Sequence, residues 1–260
     1  MKYSRLAALI VSIAIAIPFA VFQTTGSVAD FQTTAFAESD PSSEVSWTPY
    51  MVFAGRTRII GRYGDNMQYD GDDVTPVPGY IRIKVDPVEN TGEIRAVWWD
   101  PRENAVIKIV QTVFMPPDHP SGVISGGGAD RTIVDDPIAI NAFEHGSTGV
   151  GAPIVTNLFT YLATWGPAQV YKNGVLWKTL PTHTMLTEGV RDETTNQVLN
   201  ADKSGFYSPM SPDDGFTDPA DAQVHLIVRS NEPDPNNFPP FTLFWHIMFY
   251  DVQIAFTQVG

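Results

Sequence analysis

Prolines and glycines divide this chain into short segments. The 260 residues include 21 prolines and 20 glycines, and both residue types interrupt helices. Between them lie short runs in which apolar and polar residues alternate, which is the pattern of a strand with one buried face. About ten such runs, separated by turn residues, predict an all-β fold. We expect an antiparallel β-sandwich or barrel with long loops rich in Gly, Pro and Asp.

The local pattern is clearest in the middle of the chain. Residues 80–85, 93–99 and 105–115 each alternate and are joined by short turns, which predicts a three-stranded meander. Farther on, Asn173 and Gly174 separate two apolar runs. Both residues tolerate positive φ, as a two-residue type I′ hairpin requires. We therefore predict a hairpin at this point.

The last patterned segment, residues 222–255, is typical of two strands joined by a proline-rich loop. A pairing symmetric about the loop sets Leu226 opposite Trp245 and His225 opposite His246. One face of the hairpin is then apolar throughout, whereas the other is mixed. A slip of one residue would mix the two faces, so the symmetric pairing is favoured.

The N-terminus has the order of a secretory signal peptide. Two basic residues precede an apolar run at 6–22, and small residues with possible cleavage sites after Ala29 and Ala37 follow it. An uncleaved membrane anchor is the alternative, but the run is at the short end for a spanning helix and contains Pro18. We predict a signal peptide at residues 1–37 and an exported protein.

After cleavage, we predict a flexible segment at 38–46 and a single β-rich domain at 47–260, with no membrane span. The formal net charge of the whole chain is −13, and this acidity argues against a nucleic-acid partner because phosphates need basic contacts. The chain has no cysteine. This excludes disulfides, iron–sulfur clusters and the thiolate of blue-copper sites. Neither a G-x-S-x-G elbow nor an H-E-x-x-H motif occurs, so the sequence does not select an enzyme activity.

The histidines suggest a metal site. His225 and His246 would face each other on the mixed side of the C-terminal hairpin, and His183 or His145 could complete a copper or zinc site, which needs three or four ligands. Three more side chains could add a ligand: Glu144, Glu188 and Met248. The ordinary alternative is that each histidine is a half-buried strand residue bonded to backbone.

An acidic stretch suggests a calcium loop. Its carboxylates are those of Asp213, Asp214, Asp218 and Asp221, and extracellular calcium takes oxygen ligands from such loops. The spacing does not match an EF-hand. Aspartates also form turns through their own side chains, and this reading is favoured.

Two other functions fit the sequence. Trp98 and Trp99 point to opposite faces of one strand, so an outward indole could stack on a glycan. Two buried tryptophans in a sheet covered on both sides are the favoured alternative. The mixed face of the hairpin could instead line a cavity for a small apolar ligand. A surface assembly subunit, whose N-terminal segment pairs with a neighbour's sheet, is the remaining possibility.

Overall fold

The computed structural model describes residues 50–60, 74–117, 123–125, 132–144, 158–192, 194–195, 197–199, 205–206, 218–237 and 239–256. All of them belong to one compact unit, residues 38–260. The predicted signal peptide (1–37) and flexible segment (38–46) lie outside the described residues. Within the described ranges no helix has the length and apolarity needed to cross a membrane.

The regular structure of the described residues is entirely β, as the sequence predicts. Fourteen strands form one antiparallel sheet rather than about ten. In chain order they are β1 (Tyr50–Ala54), β2 (Arg56–Ile60), β3 (Thr75–Val77), β4 (Gly79–Asp86), β5 (Thr91–Asp100), β6 (Ala105–Gln111), β7 (Val123–Ser125), β8 (Thr132–Val134), β9 (Ile138–Glu144), β10 (Leu158–Lys172), β11 (Val175–Gly189), β12 (Asp218–Arg229), β13 (Phe244–Tyr250) and β14 (Gln253–Phe256).

The sheet curls into a half-barrel. Its strand order is β14-β1-β4-β5-β6-β10-β11-β12-β13-β2-β3, while β9 pairs with β10 and with β7, which also pairs with β8. The predicted meander is confirmed as β4, β5 and β6. β1 and β2 lie near opposite ends of this order, yet only Gly55 separates them in the chain.

The concave core is built from alternate residues of these strands. Ile81 and Ile83 of β4 and Ile94 and Trp98 of β5 are fully buried, so the predicted alternation is confirmed. Trp98 packs edge-on against Trp245 of β13, with ring centroids 5.8 Å apart. Burying each such side chain stabilises the fold by about 1.5–3 kcal/mol.

The predicted Asn-Gly hairpin is confirmed between β10 and β11. Asn173 has φ 49° and Gly174 has φ 82°, the two positive values of a type I′ turn. The Asn173 side chain also accepts a 2.9 Å hydrogen bond from the Val106 amide. This bond ties the turn to β6.

The predicted register of the C-terminal hairpin is wrong by two residues. His225 pairs with Met248, and Ile227 pairs with His246. The connecting loop is not symmetric, because Pro233 forms a β-bridge with Phe241 inside it. A shift of two residues keeps every side chain on its predicted face, since the strand period is two. The two histidines are therefore diagonal rather than direct neighbours.

Candidate metal centre on the histidine face

Where residues 182–187 of β11 lie beside β12 and β13, the three strands are largely buried on both faces. One face contributes Leu186, Leu226 and Ile247 to the main core. We call the opposite side the histidine face. It carries His183 and Met185 of β11, His225 and Ile227 of β12, and His246, Met248 and Tyr250 of β13.

Two thioethers flank one imidazole on this face. Met185 pairs with His225, and His225 pairs with Met248 on the other side. Directly paired residues of antiparallel strands point to the same face with Cβ atoms about 4.5–5.5 Å apart. The three side chains are 7%, 0% and 0% exposed. A sulfur–imidazole–sulfur row thus crosses three strands away from solvent.

The two imidazoles of β12 and β13 are hydrogen-bonded to each other. Nδ1 of His225 and Nε2 of His246 lie 3.0 Å apart, and the rings are inclined by 27°. One of these nitrogens donates and the other accepts, so the pair shares one proton at this contact. Both residues are almost fully buried.

The second ring nitrogen of His225 is one of several buried polar atoms without a hydrogen-bond partner in the described ranges, and it is the one that lies in the row of paired methionines. Nε2 is buried and has no hydrogen-bond partner in the described part of the chain. Buried N–H groups without an acceptor are rarer in proteins than under-satisfied acceptors. We therefore assign the proton to Nδ1, which donates to His246. Nε2 then carries a buried lone pair.

Both imidazoles are neutral at pH 7. Burial lowers the pKa of His225 to about 3, with smaller contributions from the charges of Arg191 and His183. Burial, then His225 and Arg191, hold the pKa of His246 well below its usual value. Arg191 is itself only 3% exposed. A metal ion binding here would not have to displace a proton from a charged imidazolium.

His183 has a different environment from the pair. It is half-buried, its ring stacks on Trp165 at 4.8 Å, and its Nδ1–H donates to the Thr164 carbonyl at 2.9 Å. A carbonyl only accepts, so Nδ1 carries a proton, and in the neutral imidazole Nε2 is then the acceptor nitrogen. His183 pairs with Ile227. It is therefore a diagonal neighbour of His225 but is separated from His246 by β12.

The other predicted ligands are dispersed. Glu144 is the last residue of β9, which lies two strands from β11. Glu188 is buried on β11 beside a register shift that interrupts the alternation. His145 lies outside the described residues. In the described ranges, no group of three or more His, Asp and Glu side chains is placed to hold a metal ion.

The acidic stretch is not one continuous loop. β12 begins at Asp218, so Asp218 and Asp221 are strand residues, because their segment pairs with β11. Asp213 and Asp214 lie outside the described residues. The strand therefore begins four residues before the predicted segment 222–255.

The two predicted stacking residues differ in accessibility. Trp98 is 0% exposed and belongs to the core, so it cannot stack on a ligand from solvent. Trp99 is 38% exposed on the outer side of β5, so the favoured expectation that both tryptophans are buried is wrong for Trp99. The adjacent positions thus divide into one core residue and one surface residue, as strand alternation requires.

Three residues at the candidate sites were not predicted from the sequence. Met185 was detectable, because it alternates with His183 on a recognisable strand. Arg191 follows that strand without any local signal of burial. Trp177 is part of an apolar hairpin arm. Nothing in its neighbours in sequence indicates that it lines the cavity between the β5–β6 turn, the β10–β11 hairpin and the β12–β13 loop.

Comparison with protein-family models, with curated proteins and with solved structures finds no match to this chain.

Proposed function

We propose that the protein is an exported copper-binding protein, and that Nε2 of His225 and the thioethers of Met185 and Met248 bind copper(I). The observation that carries this proposal is the buried, partnerless Nε2 of His225. It belongs to the residue that pairs with a methionine on each side. Soft thioether ligands favour copper(I), and imidazole is an accepted partner ligand.

The charge near the site favours a monovalent ion. The pKa of both imidazoles is lowered mainly by burial. The positive charge of Arg191 lowers it further in His225, and in His246 it does so after the effect of His225. The same positive charge opposes a divalent cation more strongly than a monovalent one, because the repulsion scales with the product of the charges. Between the two metals considered from sequence, copper as copper(I) therefore fits better than zinc.

His246 acts as a positioning residue in this proposal. Ligating histidines usually donate their other ring N–H to an acceptor that fixes the tautomer and the ring orientation. Nε2 of His246 can accept that bond from Nδ1 of His225 at 3.0 Å. His183, on the diagonal, is the closest candidate for an additional nitrogen ligand.

The proposed location outside the cytoplasm rests on the sequence alone. The basic, apolar and small-residue order of residues 1–37 supports export. N-terminal sequencing of the protein recovered from the culture medium or envelope tests this, and an intact N-terminus in the cytoplasm would contradict it.

We also propose that the sheet closes into a barrel rather than forming a sandwich. β1 pairs with β14 and β2 with β13 in one continuous register, from Tyr50–Phe256 to Ile60–His246. β1 also pairs with β4, at the other side of the sheet. Cross-strand NMR contacts for both β1–β4 and β2–β13 in one sample would support closure, and absence of either set would contradict it.

Copper binding is tested by titrating the untagged protein with copper(I) in competition with a chromophoric copper(I) chelator, anaerobically. We expect one ion per chain, no binding by His225→Gln, and affinity at least tenfold lower in Met185→Leu and Met248→Leu. Met51→Leu is the matched control, because Met51 lies on β1 and is 36% exposed. It should bind like the wild type.

Two outcomes would overturn the copper proposal. One is that Met185→Leu and Met248→Leu bind copper(I) as tightly as the Met51→Leu control while remaining folded by circular dichroism. The other is that zinc(II) binds more tightly than copper(I) in a parallel titration. Calcium binding unaffected by His225→Gln would direct attention to the acidic residues before and within β12.

A further inference from the structure

A second candidate site lies at one end of the curled sheet, on a different face from the histidines. A cavity of about 710 Å³ opens between the β5–β6 turn, the β10–β11 hairpin and the β12–β13 loop. Small-molecule sites commonly occupy about 300–1,000 Å³ and often lie at the open end of curled sheets. In a meander, alternate connections lie at the same end, which explains why these three converge.

The apolar wall of the cavity is the half-exposed indole of Trp177, which packs against a buried indole. Trp177 is 36% exposed, and its ring stacks on the fully buried Trp245 at 6.0 Å and 25°. Trp245 in turn packs on Trp98 at 5.8 Å. Three indoles therefore run from the cavity into the core. A surface indole held by buried neighbours presents a rigid ring at low entropic cost.

One side of the Trp177 ring is already covered. Lys172 Nζ lies over it at 3.8 Å from its centroid and 5.8 Å from that of Trp245. Trp177 is nevertheless 36% exposed, so part of its surface is in contact with solvent. The exposed Lys178 reaches to 5.0 Å of the ring, and a flexible surface side chain can be displaced by a ligand.

The polar wall is ordered and balanced in charge. Lys172 is held by Glu103 at 2.7 Å. The Thr242 hydroxyl donates to Ser230 Oγ at 2.8 Å and lies 3.3 Å from a carboxylate oxygen of Glu232. With Lys178, the lining contains two ammonium and two carboxylate groups. Such a wall offers both donors and acceptors without net charge.

We propose that this cavity binds a neutral oligosaccharide, with one sugar ring stacked on Trp177. A sugar has an apolar ring face for the indole and hydroxyl groups that both donate and accept, which matches the mixed wall. A purely apolar ligand would displace water from the charged groups of this wall without replacing the hydrogen bonds to water. A strongly charged ligand would find no excess of opposite charge. This site is independent of the proposed copper centre.

The test uses a panel of neutral oligosaccharides built from glucose, galactose, mannose and N-acetylglucosamine, followed by calorimetry with the best binder. Trp177→Ala should weaken binding at least tenfold. Trp99→Ala is the matched control, because Trp99 is 38% exposed but does not line the cavity. It should bind like the wild type.

A second variant distinguishes the loss of a ligand contact from a packing defect next to Trp245. Asn231→Ala changes an exposed loop residue of the cavity wall and should weaken binding several-fold without changing the thermal midpoint. The proposal is overturned if no member of the panel binds the wild type at millimolar concentration. It is also overturned if Trp99→Ala and Trp177→Ala lose affinity equally, or if an acidic oligosaccharide binds more tightly than every neutral one.

Discussion

Where β11, β12 and β13 lie side by side around the histidines, their two faces are both largely buried but differ in chemistry. The core face carries Leu186, Leu226 and Trp245, whereas the opposite face carries three histidines, two methionines and Tyr250. Apolar side chains gain stability from burial in proportion to area. Buried imidazoles gain only when they find hydrogen-bond or metal partners. The core face therefore accounts for stability, and the histidine face carries the proposed copper site.

The largest expected effect is on the core face. Trp245 is fully buried between Trp98 and Trp177, so Trp245→Ala should lower the free energy of unfolding by about 3–5 kcal/mol, because it leaves a cavity. Urea denaturation followed by circular dichroism measures this. A loss below about 1 kcal/mol would show that the three indoles do not form one packed unit.

Acid should act mainly through the histidine face. The pKa of His225 is lowered to about 3 by burial and by nearby charges, so the unfolded chain binds a proton below about pH 6.5 that the folded chain does not. Stability of the metal-free protein should fall as the pH drops from 6.5 toward 3, by several kcal/mol.

The control for acid sensitivity is the double variant His225→Gln, His246→Gln. It removes both buried imidazoles and should show a flatter dependence of stability on pH between 6.5 and 4. Urea denaturation at a series of pH values makes the comparison. A wild-type profile with the same slope as the double variant would mean that the pair is not buried as described.

The core side of the sheet also buries a charged residue, Asp100 of β5, which allows the effect of pH to be compared with that on the histidine face. Asp100 is buried and accepts hydrogen bonds from Arg102, including one from Nη2 of 2.8 Å. Burial alone would raise the pKa of Asp100, but the Arg102 hydrogen bonds and charge outweigh it and lower the pKa. The stabilisation is present above pH 3.8 and is lost as the pH falls through the lower folded-state pKa.

Asp100→Asn should therefore cost about 1–3 kcal/mol at pH 7, the range for a hydrogen bond to a charged group. The difference from the wild type should shrink in acid. Thermal unfolding at pH 7 and pH 3 checks both statements. An equal loss at the two pH values would contradict the role of the charge.

The smallest expected effect is Met248→Leu on the histidine face. The change nearly conserves volume, so the free energy of unfolding should change by less than about 1.5 kcal/mol. Copper(I) affinity should nevertheless fall at least tenfold. Separation of the two readouts distinguishes a ligand from a packing residue. If stability and affinity fell together in proportion, Met248 would be only a packing residue.

The sequence predicted the parts of the fold that depend on local pattern. Alternation predicted strands with one buried face at residues 80–85 and 93–99, and the Asn173–Gly174 pair identified its turn. The C-terminal register failed because it depends on the internal bridge between Pro233 and Phe241, for which no local rule exists. The prediction that His225 and His246 lie on the same face is confirmed, because the register was wrong by an even number of residues.

The candidate site was only partly predictable. Two histidines on one face follow from alternation, but their burial depends on segments distant in sequence. The proposed role of Met185 as a ligand depends on the pairing of β11 with β12. The proposed role of Trp177 in sugar binding depends on three connections that converge at one end of the sheet. Arg191 lies beyond a strand end, where periodicity carries no information.

X-ray absorption spectroscopy at the copper edge of the copper(I)-loaded protein tests the central claim most directly. We expect both nitrogen and sulfur scatterers in the first coordination shell, and loss of the sulfur contribution in the Met185→Leu, Met248→Leu double variant. A shell of nitrogen and oxygen alone in the wild type would contradict the proposed site, as would a sulfur contribution that persists in the double variant.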